Sequence, residues 1–198
     1  MTTVHPLILL CGFSGSGKTT AAKALEETLE HCVAIHSEDI RTELGVKQYS
    51  RADTPRVLTT QMQKLKKLWM QGKTGIVDNN LLSPILRQMF YDFARDEGRP
   101  TLTICVTAPV TTLRERIRER PYISGGSPNN SDVLQCQYLF WDEPLNCDVL
   151  INSPDLVTIV KFDTVDQTIT CIRGSVIPYY SYLQPLLTIK EKLDAHGI

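Results

Sequence analysis

Residues 12–19, GFSGSGKT, have the types and spacing needed to hold phosphate groups. They match the pattern G-x-x-x-x-G-K-[ST], with an apolar run before it and a helical pattern after it, which is the setting of a phosphate-binding loop. Glycine lets the backbone curl until its N–H groups face an anion, and the following helix adds its positive dipole end. The lysine is expected to reach the β- and γ-phosphates, and the threonine hydroxyl to bind Mg²⁺. The sequence therefore predicts a nucleoside triphosphate site formed by Gly12, Ser14, Gly15, Ser16, Gly17, Lys18, Thr19 and Thr20.

Carboxylates follow two of the predicted strands. Residues 33–36 form one such strand, which leads into Glu38 and Asp39, and residues 75–78 form the next, which ends at Asp78. Strand carboxyl ends open on one edge of a parallel sheet, so these carboxylates should meet there. Phosphoryl transfer needs a positioned Mg²⁺ and a carboxylate that orients an acceptor hydroxyl. Asp78 suits the metal shell and Glu38 or Asp39 the base, with helix capping by Asp39 and turn formation by Asp78 as the structural alternatives.

Arginines concentrate on a predicted helix over residues 110–120. Its helical periodicity sets Arg116 and Arg120 on one side of the apolar stripe, and Arg114 and Arg118 on the other. Arginine makes bidentate contacts with phosphate, which favours one pair meeting the triphosphate during transfer. The alternative is a solvated helix held by Glu–Arg pairs. We therefore treat Arg116 and Arg120 as candidate catalytic residues.

The elements that must position these residues are short apolar runs that alternate with helical patterns. This alternation predicts an α/β fold with a parallel sheet covered by helices on both faces. A cap followed by proline opens predicted helices at Thr54 and Ser83, and glycines end them at Gly72 and Gly98. Residues 101–107 form the most strand-like segment, because they are rich in β-branched side chains.

The second half of the chain contains fewer sequence signals for secondary structure. Residues 121–130 are polar and turn-rich, and we interpret residues 114–145 as a lid, with Asp142 and Glu143 on a helix. Strands are predicted over residues 146–152 and 156–162, and Thr164 is predicted to cap a helix that follows. Residues 173–198 are predicted to form a helical tail docked on the sheet.

Composition limits the class of protein. The chain has 198 residues, 42% of them hydrophobic and 22% charged, which predicts a single soluble domain. Its formal net charge of −1 gives no overall positive potential that would attract nucleic acid or an anionic membrane. The six cysteines form no C-x-x-C pair, which argues against a zinc site or a disulfide framework and favours a cytoplasmic protein. No signal peptide or bilayer-spanning run is predicted. No Asn-Lys-x-Asp tetrapeptide for guanine recognition occurs.

Four segments of the chain resemble, in order, those of the small P-loop kinases related to polynucleotide kinase and zeta toxin. They are residues 12–19, 37–41, 76–81 (followed by Arg87) and 113–120. The resemblance extends to about Thr164. It implies a three-layer P-loop NTPase fold with a five-stranded parallel core, ATP and Mg²⁺ as cofactors, and transfer of the γ-phosphate to a hydroxyl.

The resemblance also assigns roles. In that family the base is an acidic residue three positions before an arginine or lysine, which corresponds here to Glu38, with Arg41 on the acceptor side. The family usually has Asp at that position, so adjacent Asp39 stays open as the base. Asp78 and Asn80 correspond to the polar end of the third strand, and Arg116 and Arg120 to paired lid arginines.

The acceptor is not specified by these residues. A nucleic-acid end would require a basic channel, for which the clustered candidates are Arg56, Lys64, Lys66 and Lys67. Nucleic acid is therefore a possible partner that the sequence does not favour. The alternative function from a different class is a nucleotide-dependent binding or regulatory module with weak ATPase activity.

Overall fold

A six-stranded sheet organises the part of the chain that the computed structural model describes, namely residues 4–47, 50–120, 132–144 and 156–188. The strands are β1 (Leu7–Cys11), β2 (Cys32–His36), β3 (Thr74–Asp78), β4 (Thr101–Thr107), β5 (Val157–Asp163) and β6 (Thr168–Arg173). Their order across the sheet is β2-β3-β1-β4-β5-β6. The first five are parallel, and β6 is antiparallel to β5. The predicted five-stranded parallel core is confirmed, with one further strand at its edge.

The described helices pack around this sheet. They are α1 (Lys18–Thr28), α2 (Ser37–Glu43), α3 (Thr54–Met70), α4 (Pro84–Asp96), α5 (Val110–Glu119), α6 (Asp132–Tyr138) and α7 (Tyr180–Leu183). Short 3-10 turns lie at Arg51–Asp53, Ile177–Tyr179 and Gln184–Thr188. None of the helices in these ranges is long and apolar enough to cross a membrane.

Two apolar clusters cover the two faces of the sheet. Leu9 of β1 lies in a cluster with Leu65 of α3 and Phe90 of α4. Leu10, the next residue of β1, lies in the other cluster, with Leu25 of α1. Successive strand residues point to opposite faces, so a strand buried on both sides shows a continuous apolar run. This explains why β1 is apolar and fully buried along its length, and it gives the three-layer architecture that the sequence predicts.

The prediction of a helix after Thr164 is wrong. The Asp163 carboxylate accepts the N–H groups of Val165 and Asp166, and Gln167 adopts a positive φ of 54°, so the chain turns back instead of starting a helix. The next residues, Thr168–Arg173, then pair with β5 as β6. Four of these six residues are β-branched, which favours a strand once an open sheet edge is available, and this tertiary pairing outweighs the weak helical signal.

Asp142 and Glu143 lie outside α6, which ends at Tyr138, so their placement on a helix is also wrong. The Asp142 N–H donates to the Leu82 carbonyl, and Glu143 pairs with Lys161 of β5 at 3.1 Å. The predicted strand over residues 146–152 and the polar stretch over residues 121–130 lie outside the described residues. The lid over residues 114–145 and the tail over residues 173–198 stay predictions.

Candidate active site

The glycine-rich loop connects β1 to α1 with a tightly constrained backbone. Gly12, Gly15 and Gly17 all have positive φ values, of 139°, 79° and 100°. A Cβ on Gly12 would overlap the Val106 carbonyl oxygen, so a side chain at this position would collide with β4. The Gly12 N–H donates to the Asn80 carbonyl at 3.0 Å, which ties the start of the loop to the end of β3. The glycines are therefore required by both conformation and space.

Lys18 begins α1 and is almost fully buried, with 7% of its surface exposed. Its Nζ donates to the carbonyl oxygens of Gly12 and Phe13, at 3.1 and 2.8 Å, so the ammonium lies inside the curl of the loop. Burial lowers the pKa of this ammonium, while the charges of Asp78 and Glu38 act in the opposite direction. These contacts place a positive charge in the position that polyphosphate recognition requires.

The carboxylate of Asp78 connects the loop to the ends of β2 and β3. Its Oδ2 accepts a hydrogen bond from Thr19 Oγ1 at 2.7 Å and another from His36 Nδ1 at 2.9 Å. His36 and Asp78 are register partners at the ends of β2 and β3. Burial by itself would raise the pKa of Asp78, but the hydrogen bonds from His36 and Thr19 and the charge of Lys18 outweigh it and lower that pKa. Asp78 is therefore held as an anion beside the loop.

These groups suit Mg²⁺ with a bound triphosphate. Mg²⁺ prefers oxygen ligands and uses one or two protein groups together with phosphate oxygens. The Thr19 hydroxyl and the Asp78 carboxylate supply such oxygens at the mouth of the loop. No group of three or more His, Cys, Asp or Glu that could enclose a metal by itself occurs among the described residues. The Thr19 and Asp78 oxygens fit a Mg²⁺ that phosphate oxygens also bind.

Glu38 and Asp39 point to different surroundings. Glu38 Oε1 lies 3.9 Å from Arg120 Nη1, and its charge acts on buried Lys18, so it faces the phosphate loop. Asp39 lines a cavity of about 290 Å³ between β2, α2 and α3, and its charge acts on His36. Adjacent residues on a helix project about 100° apart, which separates the two carboxylates.

The two candidate arginines of α5 also differ in their contacts. Arg120 follows the last residue of α5 and faces Glu38, and its charge acts on Lys18. Arg116 Nη1 donates to the Gly15 carbonyl at 3.3 Å and to Thr164 Oγ1 at 3.0 Å. Arg116 thus contacts the loop backbone, whereas Arg120 lies on the side of the carboxylates.

The predicted acceptor-side residues, Arg41 and Asn80, lie on segments that follow β2 and β3 at the carboxyl edge of the sheet. Arg41 is buried on α2, and its carbonyl accepts the Val46 N–H. Asn80 follows β3, its carbonyl receives the Gly12 N–H, and its own N–H donates to Asn79 Oδ1 at 2.8 Å. Asn79 Nδ2 in turn donates to Gln61 Oε1 of α3. The turn after β3 is therefore held by polar contacts from two elements.

The three remaining loop residues lie as follows. Ser14 is buried, and Thr20 is half-buried in the first turn of α1. The Ser16 N–H donates to the Phe13 carbonyl, and the buried Ser16 Oγ has no hydrogen-bond partner.

Two residues of this region were missed by sequence reasoning as functional candidates. Arg87 is fully buried and donates to the carbonyls of Leu81, Leu82 and Asp142, which fixes the loop after β3. Gln137 of α6 contacts Ser14 of the phosphate loop. Arg87 lies within a predicted helix, so the sequence indicates its element. A single glutamine on a short helix, in contrast, carries no sequence signal for a contact 123 positions away.

Three of the four residues of the candidate basic cluster lie beside carboxylates. Lys64 pairs with Glu43 and Lys66 with Glu97, each at 2.6 Å, and Arg56 lies 4.0 Å from Asp53. Paired lysines leave little positive potential for a phosphate backbone.

The glycine loop, its buried lysine and the carboxylates at neighbouring strand ends define a P-loop nucleotide-binding protein with the three-layer architecture of P-loop kinases. A family model described as AAA domain matches residues 7–137, which is more than half of the chain, and the chain belongs to that family. A comparison with curated proteins gave no match.

Solved structures share this fold across nearly the whole chain. Kti12 from Chaetomium thermophilum, in complex with ADP-AlF3, has a TM-score of 0.64 at 19% identity, over 94% of this chain and 98% of that one. The APS kinase CysC from Mycobacterium tuberculosis, in complex with AMPPNP and APS, has a TM-score of 0.59 at 14% identity, over 95% and 98%. A sugar kinase from Janibacter sp. has a TM-score of 0.57 at 15% identity, over 96% and 93%. At these identities the likeness establishes the fold.

Proposed function

We propose that this protein is an ATP-dependent kinase that transfers the γ-phosphate of ATP to a hydroxyl group of an acceptor. One observation carries the proposal: Lys18, the Thr19–Asp78 pair and Glu38 meet at the mouth of one glycine loop, on the carboxyl edge of the sheet. Two fold neighbours are complexes with ADP-AlF3 and with AMPPNP, which supports nucleotide binding by this chain. The closer kinship with polynucleotide kinase and zeta toxin, and a cytoplasmic location, remain predictions.

In this proposal the loop and α1 bind the triphosphate. The loop N–H groups and Lys18 hold the β- and γ-phosphates, and the dipole of α1 adds positive potential at the same end. Thr19 and Asp78 hold the Mg²⁺, which neutralises charge on the phosphate oxygens when bound. His36 keeps the Asp78 carboxylate ionised and oriented through the Nδ1 hydrogen bond.

Glu38 is our candidate for the general base. The acceptor hydroxyl oxygen attacks the γ-phosphorus while Glu38 receives the hydroxyl proton, the bond from phosphorus to the bridging oxygen breaks, and ADP is the leaving group. Arg120 lies beside Glu38 and is suited to stabilise charge on the transferred group. Arg116 supports the loop at the Gly15 carbonyl, and Arg41 and Asn80 are assigned to the acceptor side.

We favour a small-molecule acceptor over a nucleic-acid end. Two of the three lysines that could have lined a basic channel, Lys64 and Lys66, pair with carboxylates on α2 and after α4. The solved neighbours include a sugar kinase and an APS kinase, both of which are named for small substrates.

The test is a screen with γ-labelled ATP against a metabolite and oligonucleotide panel, followed by two neighbouring substitutions. We expect Glu38→Gln to reduce phosphate transfer by roughly 10²- to 10⁴-fold, the contribution of a general base, while ATP affinity changes little. Asp39→Asn is the matched control, and we expect it to retain most of the activity because Asp39 faces the cavity beside β2. If neither substitution changes any transfer, a nucleotide-dependent regulatory module with weak ATPase activity becomes the better description.

A further inference from the structure

Gln137 lies on α6, outside the loop motif, and its side-chain amide makes two hydrogen bonds with Ser14. Ser14 N–H donates to Gln137 Oε1 at 2.9 Å, and Gln137 Nε2 donates to Ser14 Oγ at 2.8 Å. The two residues are 6% and 4% exposed, so water is largely excluded from both bonds. A buried amide that matches one donor and one acceptor on a single residue is a specific contact.

Apolar contacts hold α6 in the position that this contact requires. The ring of Phe13, the residue before Ser14, lies 4.5 Å from the ring centroid of Tyr138 and 4.9 Å from that of Trp141. One turn earlier on the same face of α6, Leu134 is buried in a cluster with Phe13 and with Leu113 and Ile117 of α5. The helix therefore packs directly against the phosphate loop, independently of the two hydrogen bonds.

The contact determines which group the backbone N–H of Ser14, the third residue of the loop, binds. The Ser14 N–H points at Gln137, so it is not one of the N–H groups that face the anion. The next residue, Gly15, is held through its carbonyl by Arg116 of α5. Side chains from α6 and α5 thus fix the Phe13–Ser14 and Gly15–Ser16 peptide units, at the point where the curl of the loop begins.

We propose that Gln137 is a positioning residue, which holds the phosphate loop in its anion-binding conformation through Ser14. This inference rests on the proposed function, because it assumes that the loop binds Mg²⁺-ATP. Fixing the loop before the nucleotide arrives removes an ordering cost that binding would otherwise include. Loss of the contact should therefore weaken nucleotide affinity while the other loop contacts stay in place.

The first experiment replaces Gln137 with methionine, which has a similar volume and cannot make either hydrogen bond. Gln135→Met on the exposed face of α6 is the matched control. Calorimetric titration with Mg²⁺-ATP gives both the dissociation constant and the number of sites. We expect Gln137→Met to raise the Kd about tenfold with close to one site per chain, and Gln135→Met to leave the Kd unchanged.

A purely structural role gives a different result. If Gln137→Met only reduced the folded fraction, the titration would show fewer sites at an unchanged Kd, and the proposal would be overturned. An equal rise in Kd for Gln135→Met would overturn it as well, because the effect would then belong to the helix as a whole.

A double-mutant cycle tests whether Gln137 acts through Ser14. Ser14→Ala removes only the bond to Oγ, and we expect a Kd increase of about threefold. In the Gln137→Met background the same change should have no further effect, because its partner is already absent. Independent, multiplying effects would overturn the proposal. Failure of the unmodified protein to bind Mg²⁺-ATP would instead contradict the proposed function, and this is seen before any variant is made.

Discussion

At the scale of single residues, the site is organised around one buried carboxylate. Asp78 accepts hydrogen bonds from Thr19 and His36 on the same oxygen, and it is 6% exposed. A buried anion is tolerated when it is hydrogen-bonded and lies beside a positive charge, which Lys18 supplies. The hydrogen bond to Asp78 is also the main cause of the raised pKa of His36.

This pair predicts a pH dependence of stability in the nucleotide-free protein. Because the folded pKa of His36 is raised, its contribution is fully present below the unfolded value of about 6.5 and is lost as the pH rises through the folded pKa. The lowered pKa of Asp78 has the opposite sign: its contribution is present above the unfolded value of about 3.9 and is lost on acidification. We therefore expect His36→Gln to reduce the free energy of unfolding more at pH 6 than at pH 9, as measured by urea denaturation.

The partner substitution serves as the control. In an Asp78→Asn background, the extra cost of His36→Gln at pH 6 should disappear, because the main cause of the raised pKa of His36 is gone while burial, which lowers that pKa, remains. If His36→Gln lowered the free energy of unfolding by the same amount at pH 6 and pH 9 in the protein that retains Asp78, this account of the pair would be contradicted.

At the scale of elements, the loop between β1 and α1 is determined by its glycines. Gly12 has a φ that other residues rarely adopt, and β4 occupies the space that a Cβ would need. Gly45, after α2, also has a positive φ, of 72°, but no atom lies within 4 Å of its Cβ position. Substituting these glycines therefore distinguishes the cost of an unfavourable backbone conformation, at Gly45, from the added cost of a steric collision, at Gly12.

We expect Gly45→Ala to lower the free energy of unfolding by about 1 kcal/mol, the penalty of a left-handed conformation. Gly12→Ala should cost more, about 3 kcal/mol, and should abolish measurable Mg²⁺-ATP binding, because β4 must move or the loop must reshape. Denaturant unfolding and calorimetric titration measure the two effects. Equal destabilisation by both variants, with nucleotide binding retained, would show that the loop accommodates a side chain.

At the scale of the whole molecule, the parallel sheet brings groups that are distant in sequence to one edge. The loop after β1, the start of α2 and the end of β3 all lie at the carboxyl end of the sheet, where open α/β folds bind ligands. A nucleotide that contacts all three should stabilise the entire domain.

This predicts a thermal shift that does not depend on knowing the acceptor. At a Mg²⁺-ATP concentration of 100 times the Kd, binding contributes about 2.7 kcal/mol, which corresponds to roughly 5–10 °C in Tm for a domain of this size. Lys18→Met is the control, and its shift should be much smaller because the buried ammonium is gone. An unmodified protein whose Tm does not respond to millimolar Mg²⁺-ATP would contradict a nucleotide site.

The sequence by itself determined the phosphate loop and the five parallel strands. Both are determined by local sequence: the loop by the spacing of Gly12, Gly17 and Lys18, and the strands by short apolar runs, of which β1 is buried on both faces. The carboxylates at strand ends were also predictable, because parallel strands end on a common edge.

Only the tertiary structure decided which neighbour faces which group. Glu38 lies beside Arg120 while Asp39 lines the cavity, Gln137 reaches Ser14, and residues 168–173 become a strand once β5 offers an edge. Each of these depends on the packing of elements that are far apart in the chain. Local periodicity specifies the face of an element that is buried, but the partner of a single polar side chain is set by where the other elements lie.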